Sequence, residues 1–148
     1  MLSTEAKSII SDHTAGMVAT INSNGSPSVS PKATFVILND RTIAFGNIRS
    51  PHTLANLRAR PEVEVCFIDV VLRKSVRVSG KAVICPKADA DPELLAAFEA
   101  SWHAYLEHMS HFVSIDIQAA QVILSPAYDL GITEEELRRT NLERLNAL

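Results

Sequence analysis

The chain has little that would bind a polyanion, cross a bilayer or hold a metal. Among 148 residues, Lys and Arg number 14 against 17 Asp and Glu, for a formal charge of -3 and a pI near 5.9. A nucleic-acid or anionic-membrane binder would need a cationic surplus to displace counterions. No apolar run approaches the ~20 residues of a membrane span, and MLSTEAKSIISDH has no basic segment leading into an apolar one. These absences predict a soluble, cytoplasmic protein with neither a nucleic-acid nor a membrane partner. The two cysteines, Cys66 and Cys85, form no C-x-x-C and have no histidine at ligand spacing, which predicts buried thiols and no metal. No G-x-G-x-x-G, G-x-x-x-x-G-K-[ST] or G-x-S-x-G occurs, so Rossmann, P-loop and hydrolase-elbow chemistries find no support.

What is present describes an ordinary globular chain, 47 % hydrophobic and 21 % charged, with a mean hydropathy of +0.10. Its length fits a single domain, 1–148, burying roughly 70 % of its unfolded surface. Helical spacing over 2–13 predicts a lead-in helix. Apolar or β-branched runs at 16–21, 28–38 and 42–47, separated by NSNGSP and Asn39-Asp40, predict three strands joined by tight turns. Ser50 and Pro51 then open a short helix to about residue 60. Strand periodicity resumes at 62–69 and 75–85. Asp91-Pro92 starts an amphipathic helix carrying Leu94, Phe98, Trp102, Tyr105 and Met109. A last strand over 111–125 is expected to bend near Ala119-Ala120. Thr133 and Glu136 form a capping box for a helix of about 133–147, with Leu137, Leu142, Leu145 and Leu148 along one stripe. The expected fold is mainly β: a six-stranded antiparallel split barrel with peripheral helices, since closure removes exposed edges.

The stretch FGNIRSPHTLANL holds the most chemistry. The first turn of its helix leaves backbone N–H groups free and carries partial positive charge. Arg49, Ser50, His52 and Thr53 surround it, a donor set suited to a phosphate dianion. Ser-Pro is equally an ordinary helix start, and Arg49 an ordinary solvated charge. In SVSPKATF, Pro31 removes a ladder donor and Lys32 must reach solvent or an anion; either a ligand or an edge strand explains both. Trp102 lies on an apolar stripe, as core, interface or the wall of a cofactor pocket.

In order, VATINSNGSPSVSPKATFVI, IAFGNIRSPHTLANLRARPEVEVCFID and SVRVSGKAVI resemble the pyridoxamine 5'-phosphate oxidase-like FMN-binding split-barrel family over about residues 15–126. The resemblance implies a six-stranded Greek-key barrel acting as a homodimer, with FMN at the subunit interface. It implies that Val29, Ser30, Pro31, Lys32 and Ala33 line the flavin, and that Asn47, Ile48, Arg49 and Ser50 follow the ribityl chain. His52 and Thr53 would hold the phosphate with Arg49 or Lys32, and Ser75 would stand against the flavin. A Lys or Arg is usual where His52 stands, and the oxidases' terminal Trp and R-x-H-x-R type segment is replaced by ITEEELRRTNLERLNAL. The expectation is therefore an FMN-dependent oxidoreductase acting on an unknown small molecule, with no catalytic side chain named. The alternative is a flavin electron carrier, or a barrel binding haem or a deazaflavin.

Overall fold

The structure, a computed structural model, describes residues 1–148. Its centre is one antiparallel sheet built from β1 (Gly16–Ile21), β2 (Pro27–Lys32), β3 (Phe35–Asn39), β4 (Thr42–Asn47), β5 (Glu62–Asp69), β6 (Lys74–Pro86) and β7 (His111–Leu124). The spatial order is β2-β1-β5-β6-β7-β4-β3. The two strands at its ends, β2 and β3, are neighbours in sequence, separated only by Ala33 and Thr34. A two-residue link cannot bridge a flat seven-stranded sheet, so the sheet curls round until its ends meet, with the seam between β2 and β3 left unpaired.

The single strand expected over 28–38 is thus two strands, and the count is seven instead of six. Lys32 pairs with Gly16 on β1, while Thr34 is tied to β4: its hydroxyl donates to the Gly46 carbonyl at 2.7 Å and its own carbonyl accepts from Gly46 N–H at 3.1 Å. Both halves keep the strand period, so the break at Ala33-Thr34 leaves no trace in the hydrophobic pattern.

Side chains inside the curl form the main core. It takes Val18, Phe35, Ile43, Phe45, Val65, Phe67, Val76, Val78, Val113 and Ile115 from the sheet. Helix α1 (Thr4–Asp12) closes one end, capped by Ser3 and contributing Ala6, Ile9 and Ile10. Helix α2 (Pro51–Ala59) contributes Leu54 and Leu57. The alternate residues of β4, Ala44 and Gly46, face outward to a second core under α3 (Pro92–Leu106), where Phe98 stacks on Phe112 at 4.3 Å. Cores on both faces explain why β4 reads as a continuous apolar run.

Helix α3 stops at Leu106, short of the expected Met109, and breaks at Trp102, whose φ of -134° is not helical. The break lets the indole N–H donate to the Phe35 carbonyl at 2.9 Å, on the edge strand β3. Met109 is buried all the same, against Gly46. The expected bend in β7 is a bulge: Ser79 pairs with Ala119 and Gly80 with Ile117, which leaves Gln118 unpaired. A Cβ on Gly80 would lie 2.2 Å from the Asp116 carbonyl oxygen, so only glycine fits there.

Helix α4 (Glu134–Asn146) opens with the predicted capping box. It packs on its own chain through Asn141, whose Nδ2 donates to the Val71 carbonyl at 2.7 Å, while Leu142, Leu145 and Leu148 stay exposed. No helix is long and apolar enough to cross a membrane.

Candidate anion site at the start of helix α2

In antiparallel pairing, directly opposite residues share a face, so register sorts the predicted site residues into two groups. Ser30 and Lys32 pair with Val18 and Gly16 and face inward with them. Val29 and Pro31 pair with Ala19 and Met17 and face outward. Ser75 joins the outward group through Ile68, and its hydroxyl donates to the Ile123 carbonyl at 3.3 Å. The row Pro31, Met17, Cys66, Arg77, Gln121 crosses five strands on this outer face.

The inward group converges on α2. Lys32, 8 % exposed, donates from Nζ to the hydroxyl oxygens of Ser30 and Ser50, each at 2.6 Å. No carboxylate pairs with it. An ammonium has three donors, so one remains free, and burial holds the Lys32 pKa below the ordinary lysine value. Burying a charge without a counter-charge costs several kcal/mol. Lys32 therefore keeps a free donor and a charge that no carboxylate of this chain neutralises.

Ser50 occupies the N-cap position, but its side chain makes no capping bond to α2. Its oxygen is turned to Lys32. Pro51 has no N–H, and the first helical donor is Leu54, bonded to the Ser50 carbonyl at 3.2 Å. The N–H groups of His52 and Thr53 therefore precede the intrahelical ladder. Asn47, 3 % exposed, ends β4 just before this helix, and its side-chain Oδ1 is buried without a partner. A buried ammonium, an uncapped helix start and an orphaned acceptor fit a ligand carrying both a phosphate and hydrogen-bond donors.

The remaining predicted residues lie elsewhere. Ile48 and Arg49 are exposed on the link between β4 and α2, and Arg49 makes no ion pair. Ala33 is half of the two-residue link between β2 and β3. Trp102 lines a groove of about 620 Å³ with Ile10, Val36 and Ala97, between α1 and α3. His52 Nε2 bonds to Asn22 Oδ1 at 2.7 Å. Asn22, Asn56 and Thr20 went unnoticed in the sequence because NSNGSP reads as turn chemistry and Asn56 as the polar side of a short helix.

Comparison with known proteins places this fold in a class. The chain belongs to the pyridoxamine 5'-phosphate oxidase family, whose sequence profile matches residues 2–125. Its fold is similar to that of HupZ from Group A Streptococcus, at 22 % identity, TM-score 0.69, covering 84 % of this chain and 96 % of that one. It is also similar to an FMN-binding protein from Syntrophomonas wolfei, at 12 % identity, TM-score 0.65, covering 81 % and 84 %. An F420 reductase matches at 18 % identity, TM-score 0.57, covering 72 % and 88 %. Comparison with curated proteins found no match.

Proposed function

We propose that the chain is an FMN-binding protein of oxidoreductase type, with the cofactor phosphate held by Lys32, Ser30, Ser50 and the first-turn N–H groups of α2. The observation that carries this reading is the buried Lys32 ammonium, hydrogen-bonded to two hydroxyls and paired with no carboxylate. A phosphate dianion supplies the missing charge. Membership of the family and the fold shared with an FMN-binding protein support the choice of a flavin phosphate over other anions.

FMN, when bound, supplies hydride or single-electron transfer. This chain's part is binding and orientation. Lys32 neutralises the phosphate, the uncapped start of α2 adds N–H donors, and Asn47 Oδ1 offers a buried acceptor. No particular substrate is proposed.

The unit is proposed to be a homodimer. Met17, Val29 and Ile68 are 42 %, 64 % and 47 % exposed on the outer face of β1, β2 and β5, a contiguous apolar surface of the kind that marks a protein interface. A second copy there would cover the face that carries Val29, Pro31 and Ser75.

The purified protein tests the reading directly. A flavin absorbance spectrum, with stoichiometric FMN released on denaturation, is the expected result. A colourless protein that takes up no added FMN overturns it. A Soret band instead assigns the pocket to haem, and deazaflavin absorbance to that cofactor.

A further inference from the structure

The side chain of Asn22, in the turn between β1 and β2, has its orientation set by its neighbours. Its Nδ2 donates to the Ser26 hydroxyl at 3.1 Å and to the Pro27 carbonyl at 3.4 Å. A carbonyl oxygen only accepts, so that end of the amide is nitrogen and the opposite end is oxygen. The oxygen accepts from Asn56 Nδ2 at 3.0 Å and from His52 Nε2 at 2.7 Å. Asn56, 5 % exposed, also donates to the buried Thr20 hydroxyl at 3.0 Å.

This fixes the role of His52 Nε2. With an acceptor opposite it, Nε2 carries the hydrogen. The residue standing where a cation is usual therefore has its donor committed to Asn22.

We infer that His52 and Asn22 form a latch that positions the start of α2 against Lys32, so that the His52 ring serves an anionic ligand by bracing the helix and not by touching the ligand. This rests on the phosphate reading of the Lys32–Ser50 site. The cradle has two halves on different elements: Ser30 and Lys32 on β2, and Ser50 with the first-turn N–H groups on α2. An ordinary N-cap bond would brace the helix half, but the Ser50 hydroxyl has gone to Lys32. The bonds of His52 and Asn56 to Asn22 supply the brace instead. Asn22 sits in the turn that leads into β2, so the latch ties the helix half to the strand half. Charge-assisted hydrogen bonds lose much of their strength on a displacement of about 1 Å, which makes that tie a determinant of phosphate affinity.

The test is titration of FMN and riboflavin into the full chain, followed by quenching of flavin fluorescence. The proteins are wild type, Asn22→Ala, His52→Ala, His52→Gln and the double variant Asn22→Ala/His52→Ala, each with a thermal melt. Each single alanine variant should weaken FMN about fivefold or more, the equivalent of one net hydrogen bond, with riboflavin unchanged. The double variant should be no weaker than either single one. His52→Gln, which keeps an N–H donor at similar reach, should recover most of the affinity, and it keeps the test decisive if an alanine variant fails to fold. If Asn22→Ala binds FMN like wild type while His52→Ala does not, His52 touches the phosphate itself and the latch is wrong. Equal losses for FMN and riboflavin reduce the pair to a structural contact and also overturn it. A wild type that does not bind FMN removes the cradle reading and the latch with it; failure of the latch alone requires a wild type that binds FMN.

Discussion

Lys32 Nζ donates to Ser50 Oγ at 2.6 Å, joining the end of an edge strand to the N-cap of a helix 18 residues further along the chain. Neither residue has its ordinary partner. The lysine lacks a carboxylate, and the serine does not cap its helix. Each has the other as partner instead, and the first turn of the helix is braced separately through His52 and Asn22.

Lys32→Met should separate stability from binding. Removing an uncompensated buried charge should raise the melting temperature of the ligand-free protein, while FMN affinity falls by about 1.5–3 kcal/mol and riboflavin affinity stays near its starting value. Paired calorimetric melts and flavin titrations check both halves. A lower melting temperature together with unchanged FMN affinity would return Lys32 to a purely structural role.

The same lysine gives a pH signature. Its folded pKa is lowered from 10.5, so the unfolded chain binds more protons in the window below 10.5. Stability of the ligand-free protein should therefore rise with pH through that window. Lys74 contributes the opposite sign: hydrogen bonding to Glu5 above all, and to Glu134, raises its pKa against the effect of burial. Its contribution is fully present below 10.5 and is lost as pH climbs past the raised folded value. Denaturant melts of Lys32→Met and Lys74→Met across the alkaline range should show the rise absent in the first and the late loss absent in the second.

Asn141→Ala should loosen the C-terminal helix. The residue is 5 % exposed and bonded to the Val71 carbonyl, so its loss leaves a carbonyl of the β5–β6 hairpin unsatisfied at a cost of about 1–3 kcal/mol. Limited proteolysis should then cut within 134–146 sooner than in wild type, while flavin binding at the far α2 site stays intact. Equal cleavage rates would show that α4 is held by something other than this bond.

Gly80→Ala should damage the sheet. The added Cβ meets the Asp116 backbone oxygen at 2.2 Å, and backbone cannot step aside as a side-chain tip can. A loss of about 2 kcal/mol or more is expected in a denaturant titration. Wild-type stability would mean that the bulge at Gln118 relaxes freely.

Val29→Lys together with Met17→Lys places two charges on the outer face of β2 and β1. If a second copy covers that face, sedimentation should shift from dimer to monomer, and flavin uptake should drop in parallel. A variant that still sediments as a dimer locates the interface elsewhere.

Much of this molecule follows from local patterns. The α1 and α2 starts, the capping box at Thr133 and the bend in the last strand are short-range devices, set by residues within about one turn of each other, and each could be read along the chain. The unusual chemistry of SPKAT and RSPHT was also visible, because a proline and a lysine in a strand, or hydroxyls at a helix start, stand out locally. What local patterning does not contain is which strands pair. The break at Ala33-Thr34, which sends two halves of one run to opposite ends of a curled sheet, shows only in the pairing, Lys32 with Gly16 on β1 and Phe35 with Phe45 on β4. The same curl sets inward Ser30 and Lys32 apart from outward Val29 and Pro31, with which they alternate along one strand, and from outward Ser75 on β6. His52 shows the limit most clearly: its residue type suggested a phosphate ligand, and its ring bonds to Asn22, 30 positions away in sequence. Hydrogen-bond direction is a property of neighbours in space, and only tertiary structure brings those neighbours together.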